Sequence, residues 1–402
     1  MDYDKIFGKL PAGWSVGTLD QYAEVIDPHP SHRAPAEVVN GYPFLGIGDL
    51  DYFGNATFDA ARHVGLEVIE EHERNYRITE ESIGYAKMGN TIGKVVSFPS
   101  REGKKRFAVS PALSIINPNK NIHPYFLRAV VESAAFWGQV NGKITGSTRP
   151  SIGIQQLRKI YIPIPPANVQ QQIGEMWKVL YDKISVNTAI NDNLQQQASA
   201  LYGKFFPYDI SDELPTGWRV GTIGEIVDIH DSKRIPLSGA QREKMELRTY
   251  PYYGAASLMD YVDDYIFDGK YLLLGEDGTV IDDAGYPILQ YVWGRFWVNN
   301  HAHILTGKRG FNVESLLLLF KRTPVKSIVT GAVQPKISQG NLRSVQVVIP
   351  PAEKLDTFNE LICPMFDQIR LNQDQNKALA SLRDALLPKL MSGEIDVSDI
   401  QL

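Results

Sequence analysis

A single cysteine, Cys363, stands in 402 residues, so neither an internal disulfide nor a thiolate metal site can be built. No apolar run approaches the roughly 20 residues needed to cross a bilayer. The opening MDYDKIFGKLPAGW lacks an apolar core, which argues against a secretory signal. These absences point to a cytoplasmic protein with no membrane partner. Positive charge is scarce too: 41 Lys and Arg against 46 Asp and Glu give −5, so nothing general attracts a polyphosphate. The balance is 18 basic to 17 acidic over residues 1–167 and 5 to 9 over 352–402, so affinity for any polyphosphate would need local basic faces or a more basic partner. A phosphate-loop GxxxxGK[ST] and a dinucleotide-type glycine fingerprint are also missing.

What is present is repetition. Residues 10–19 (LPAGWSVGTL) recur at 214–223 (LPTGWRVGTI), an offset of 204. Residues 109–116 recur at 298–305, offset 189, and 145–152 (TGSTRPSI) at 330–337 (TGAVQPKI), offset 185. Collinear blocks with a shrinking offset describe one unit written twice, the second copy shortened in its loops. Within each copy, short strand-like runs at 94–98, 112–116, 271–274 and 295–298 are punctuated by Gly, Asn and Pro. Helices are expected over 124–136 and 313–322, and each copy ends on an Ile-Pro-Pro stop. The fold class is α/β in the α+β sense: two tandem β-rich domains, 1–167 and 207–351, each followed by a long helix, 168–206 and 352–402.

Spacings of four and three mark a coiled-coil seam in the first long helix, through Ile173, Trp177, Leu180, Ile184, Asn187, Asn191, Leu194, Ala198, Leu201 and Phe205. Shifted by 185, the second seam runs from Phe358 through Asn372 and Asn376 to Leu390. Antiparallel packing would oppose Asn187 to Asn376 and Asn191 to Asn372 about a pseudo-two-fold axis. Amides in an apolar seam fix register at some cost in stability; the plainer alternative is that they sit on a helix edge. At 1.5 Å per residue, a helix of roughly 35 residues makes a rigid spacer of about 50 Å.

The paired LPxGW openings, the G-[SA]-x-x-P-x-I blocks at 146–152 and 331–337, and the IPPA-to-helix junctions together resemble the DNA-specificity subunits of Type I restriction–modification systems. The strings YPYYGAAS (250–257), YLLLGEDG (271–278) and NNHAHIL (299–305) are similar to a target-recognition domain of that family, as are IGYAKMGNTIGKV (83–95) and NVQQQI (168–173) in the first copy. Departures are the second helix, which opens AEKLDTF, and the charge contrast between YAKMGN and LLGEDG. The resemblance implies a non-catalytic reader of an asymmetric, bipartite double-stranded DNA target, docked to two modification subunits. Those subunits would hold S-adenosylmethionine, this chain binding no cofactor, and restriction subunits can join. No Asp/Asn-Pro-Pro-aromatic methylase motif contradicts that delegation. Rival readings are an orphan DNA-binding regulator without a methyltransferase, a repeat-built nuclease, and a coiled-coil scaffold.

Lys and Arg suit phosphate or guanine, and Asn and Gln suit adenine. The DNA-binding candidates of the first domain are Lys87, Asn90, Thr91 and Lys94 on a glycine-rich loop, with Lys143 and Arg149 around the TGSTRP turn. Those of the second are Tyr253, Thr279, Asn299, Asn300, His301, Gln334 and Lys336; each residue alone is equally readable as a solvated loop or turn side chain. Arg101, Lys104, Lys105 and Arg106 form the densest basic run, readable as a phosphate grip or an exposed hairpin tip. His301 and His303 alternate on a strand, but no third metal ligand is evident, so no metal site is expected. Trp14 and Trp218 read as core anchors, and Glu276, Asp277, Asp282 and Asp283 as a surface loop rather than a nuclease cluster.

Overall fold

The computed structural model describes residues 3–29, 34–99, 106–146, 148–331 and 333–397. The chain forms two compact units: Met1–Asn187 with Asp374–Leu402, and Thr188–Gln373. Each unit therefore holds one β-rich domain and one half of each long helix.

The first unit contains strands β1 (Ser15–Thr18), β2 (Ala23–Ile26), β3 (Tyr42–Leu45), β4 (Arg62–Val64), β5 (Ile83–Ala86), β6 (Val95–Ser97), β7 (Ala108–Val109), β8 (Leu113–Pro118) and β9 (Tyr161–Ile164). An antiparallel sheet runs β2-β8-β5-β6, and a second sheet runs β4-β3-β7 with β3 and β7 parallel. The ribbon β1-β9 pairs Ser15 with Ile164 and closes the domain on itself. It is entered by the Pro-Ala-Gly-Trp turn, where Trp14 N–H donates to Pro11 O at 3.2 Å and Gly13 sits at φ 85°. A positive φ at the third position of such a turn is the reason for glycine there; Gly217, at 87°, does the same in the second copy. Trp14 is only partly buried against the main core, and Trp218 packs edge-on with Phe206 and Tyr208. Both tryptophans thus brace the domain margin, not its centre.

The second unit contains β10 (Arg219–Thr222), β11 (Val227–Ile229), β12 (Tyr250–Tyr253), β13 (Leu258–Val262), β14 (Phe267–Asp268), β15 (Tyr271–Gly275), β16 (Leu289–Val292), β17 (Arg295–Val298), β18 (Ala302–Gly307) and β19 (Gln346–Ile349). Its sheets, β11-β18-β15-β16 and β13-β12-β17-β14 with β12 and β17 parallel, repeat the first topology with β14 added at an edge. Registers repeat too: Ala23 faces Pro118 in one unit and Val227 faces Gly307 in the other. The shortening is local. β3 and β4 are separated by residues 46–61, whereas β12 and β13 are joined by 254–257, and the helix Leu66–Asn75 of the first unit has no counterpart.

The helix expected over 124–136 is two helices, Pro124–Glu132 and Ala134–Asn141, because Ser133 turns extended (ψ 151°) and its Oγ accepts the N–H of Phe136. Such a serine ends one helix and caps the next. Its counterpart, Val313–Phe320, is capped by Asn312, which accepts from Ser315 N–H at 2.7 Å.

The long helices, Ala167–Phe205 and Ala352–Ser392, start directly after the Pro165-Pro166 and Pro350-Pro351 pairs. Proline's fixed φ and missing N–H suit that position. Inside each unit the helix halves run antiparallel. In the first, Ile173 and Trp177 share a core with Leu387 and Leu390, and Asn187 Nδ2 donates to Asn376 Oδ1 at 2.8 Å. In the second, Ala198 packs with Phe358, Ile362 and Ile369, and Asn372 Nδ2 donates to Asn191 Oδ1 at 2.9 Å.

Each domain is tied to its helix half by a partly buried glutamate–tyrosine–arginine contact. In the first unit Tyr52 Oη donates to Glu132 Oε2 at 2.6 Å and accepts from Arg383 Nη1 at 3.3 Å. In the second, Tyr291 Oη and Arg370 Nη1 both donate to Glu314 Oε1, at 2.7 and 3.0 Å. The tyrosines come from different places in the repeat, so this is one solution reached twice. Burial, with the adjacent carboxylate, holds both phenols well above the usual tyrosine range.

Candidate nucleic-acid interface

Three segments meet at one end of each domain's main sheet, laced by the same backbone bonds. In the first unit Lys87 N–H donates to Ala112 O at 2.9 Å, Gly89 N–H to Pro150 O at 2.8 Å, and Ile152 N–H to Lys87 O at 2.9 Å. In the second, Glu276 N–H donates to His301 O at 2.8 Å, Gly278 N–H to Pro335 O at 2.9 Å, and Ile337 N–H to Glu276 O at 2.8 Å. The TGSTRP and TGAVQP turns are closed by paired bonds between Thr145 and Ser151 and between Thr330 and Lys336. Gly146 and Gly331 both sit at φ 86°. A Cβ on Gly331 would lie 2.3 Å from Gln334 O, so glycine is required there.

On this frame Asn90, Thr91, Lys94 and Arg149 are exposed and Lys143 is half-buried. In the second unit Thr279, Asn300, Gln334 and Lys336 are exposed and His301 half-buried. Val333, at the tip of its turn, is 100% exposed.

Three candidates turn inward. Lys87 is 1% exposed, with its Nζ 2.5 Å from Asp27 Oδ1, so it reaches neither solvent nor a ligand. Burial pulls its ammonium below the ordinary lysine value and Asp27 opposes that pull. Asn299 is buried, accepting from His301 N–H at 2.8 Å and donating to Met259 Sδ, so it stabilises the turn. Tyr253 is half-buried and packs edge-on against Phe296. Arg106 is bound to Glu73, at 2.6 Å; Arg101, Lys104 and Lys105 lie outside the described residues.

The charge contrast between the two copies is also absorbed internally. Glu276, the counterpart of Lys87, accepts from Arg234 Nη1 at 2.5 Å and faces Lys336 Nζ at 3.2 Å. Behind it lies fully buried His303, whose Nδ1 is 2.6 Å from Asp231 Oδ2 and whose Nε2 is 2.8 Å from Ile337 O. Burial works to raise the Asp231 carboxyl, but the His303 and Ile304 hydrogen bonds and the Arg234 charge hold it below the ordinary value. Asp231, Glu276 and His303 stand within metal-ligand reach of one another, but the Arg234 guanidinium already lies against both carboxylates. Asp282 accepts from Tyr286 N–H in an exposed turn, so no nuclease-like carboxylate cluster forms with inward-facing Glu276.

Asp27, Asp231 and Arg234 were not singled out from the sequence. The offset of 204 that aligns the openings also aligns Asp27 with Asp231, and the offset of 189 aligns Lys87 with Glu276. A charge reversal beside a constant aspartate was the available signal.

The sequence matches the family model of the Type I restriction modification DNA specificity domain twice, over residues 11–196 and 215–380. The chain belongs to the Type I restriction–modification specificity family. It is 25% identical to the Type I restriction enzyme MjaIX specificity subunit of Methanocaldococcus jannaschii, over 98% of this chain and 96% of that one. It is 24% identical to the Escherichia coli EcoprrI specificity subunit, over 57% and 59% of the two chains. In fold it is similar to the crystal structure of a Type I S subunit from M. genitalium, with a TM-score of 0.56 and 16% identity, covering 95% of this chain and 98% of that one. As a specificity subunit, the chain recognises a DNA target, works with other restriction–modification subunits, and is itself non-catalytic. Among the described residues no helix is long and apolar enough to cross a membrane.

Proposed function

We propose that this chain reads an asymmetric, bipartite DNA target, one half-site per domain, and carries two modification subunits on its long helices. One observation carries the reading: the two units lace identical backbone frames but present different side chains on them, Asn90, Thr91, Lys94 and Arg149 in one and Thr279, Asn300, His301 and Gln334 in the other. Two like frames with unlike surfaces suit two unlike half-sites, whereas a homodimer would call for a palindrome. The long helices support docking. Val179 and Val186 share an exposed face of the central helix in the first unit, and Leu371, which matches Val186 in the repeat, is exposed on the other helix in the second. The modification subunits would supply S-adenosylmethionine and the adenine-methylating chemistry, and a restriction subunit would add cleavage, in the cytoplasm.

The test is a genome-wide adenine-methylation map of the host with and without this gene. Loss of one split, asymmetric motif on deletion is the expected result. Identical maps, with a modification-subunit gene expressed alongside, would overturn the reading in favour of an orphan DNA reader or a scaffold.

A further inference from the structure

At the place where the two frames superimpose in sequence, hydrogen-bonding polarity is inverted. Residues 88 and 112 of the first unit correspond to 277 and 301 of the second at the offset of 189. In the first unit these are Met88 and Ala112, and exposed Arg149 reaches the first of them, its hydrogen bond among the described residues being to Met88 Sδ at 3.7 Å. A thioether is a weak acceptor, so the guanidinium holds one N–H loosely and keeps the other four available. In the second unit the same place holds a carboxylate and an imidazole: His301 Nδ1 contacts Asp277 Oδ1, with side chains 43% and 18% exposed. The ring is tethered by its own backbone as well, through His301 N–H to Asn299 Oδ1 and Glu276 N–H to His301 O. The local cations are otherwise engaged, Lys336 and Arg234 both lying on Glu276.

We infer that Asp277 and His301 form a base-discriminating pair of the second domain, accepting from the exocyclic amino group of adenine or cytosine, while Arg149 in the first domain donates to guanine. The inference rests on the proposed DNA-reading role of these two frames. An ionised carboxylate only accepts, and a neutral imidazole that gives Nδ1–H to it keeps Nε2 as a second acceptor. Cytosine N4 and adenine N6 are the major-groove donors that fit; guanine's N7 and O6 face a lone guanidinium as a bidentate pair. Asp277 also acts as a positioning residue, because it fixes which imidazole nitrogen points outward.

The experiment uses the full chain assembled with its modification subunits. Methylation maps of wild type, Asp277→Asn and Arg149→Met are compared, with a thermal melt of each variant as the control for folding. D277N is expected to relax one position of one half-site, and R149M one G·C position of the other. Binding is then measured to duplexes in which the adenine or cytosine at the D277N-sensitive position is replaced by an analogue lacking its amino group. Wild type should lose about 5- to 100-fold with one of the two analogues, which identifies the base, and D277N should lose no more than about twofold further. A wild-type map with no split motif would overturn the DNA-reading role beneath the inference. A split motif that D277N leaves unchanged, or analogues that wild type and D277N lose equally, would overturn the inference alone.

Discussion

Replacing Lys87 by methionine separates two roles that the sequence could not distinguish. As a phosphate contact, Lys87 would lower the salt dependence of DNA binding when removed, by about one unit of slope, with folding intact. As half of a buried ion pair it would do something else. Its Nζ lies 2.5 Å from Asp27 Oδ1, and the two side chains are 2% and 10% exposed. Breaking such a pair leaves a buried carboxylate without its cation, a loss of about 3–5 kcal/mol; the residual exposure of Asp27 places this case near about 3 kcal/mol. For a unit of this size that lowers Tm by roughly 6–12 °C. Removing both charges in Asp27→Leu/Lys87→Met should recover most of the loss, since apolar replacement of a whole buried pair is often neutral. Calorimetry of the full chain, following the transition of the first unit, reads all three variants. An unchanged melt for K87M together with a shallower salt slope would refute the assignment.

Three further outcomes follow from the same contacts. Arg370→Met takes a cation from Glu314, whose side chain is 1% exposed and retains Lys270 and the Tyr291 hydroxyl, so the second unit should lose about 2–4 kcal/mol in a chemical denaturation series. Asn187→Leu should destabilise the first unit by about 1–3 kcal/mol by taking the Nδ2 donor from Asn376 Oδ1, while Asn187→Leu/Asn376→Leu recovers or exceeds wild-type stability at the expense of register, read by melting and by the oligomeric state in light scattering. In acid, burial opposes ionisation of Glu314 and Asp231, but Lys270 and Tyr291 for the first and His303 for the second win, and both carboxyls sit below their ordinary values of 4.5 and 3.8. A depressed carboxyl contributes stability above its unfolded value and loses it as pH falls through the folded one. The second unit should therefore hold down to about pH 4.5 and weaken steadily below it, a profile that Glu314→Gln flattens.

The architecture was legible because it rests on periodicities. The four-and-three spacing from Ile173 to Phe205 and its echo from Phe358 to Leu390 needed only an apolar seam, and the two Pro-Gly-Trp turns needed only a residue that tolerates positive φ. The break at Ser133 was missed because residues 124–136 keep a helical pattern on both sides of it, and one serine hydroxyl bound to Phe136 N–H decides the matter. The site was less legible, for a physical reason: a lysine on a glycine-rich stretch reads as exposed until its partner is known. Asp27 lies sixty residues from Lys87, and no local pattern links them. Asn299 misled in the same way, its amide being used by the turn it belongs to.

The buried layer explains how one frame can carry two unlike surfaces. In both units an aspartate stands at the end of the same strand and must be neutralised. The first unit does this with Lys87, from the root of the recognition loop. The second brings Arg234 and His303 to Asp231 from other segments. Once the aspartate is satisfied elsewhere, the loop root can change sign to Glu276 and even bind the surplus cation itself. Charge at the root is thus consumed inside the protein and carries no information about DNA. What remains for the ligand is the outer row, where Arg149 is left over in one unit and Asp277 with His301 in the other. A net charge of −5 therefore does not weigh against DNA recognition, because recognition depends on the groups each outer row presents locally and not on the total.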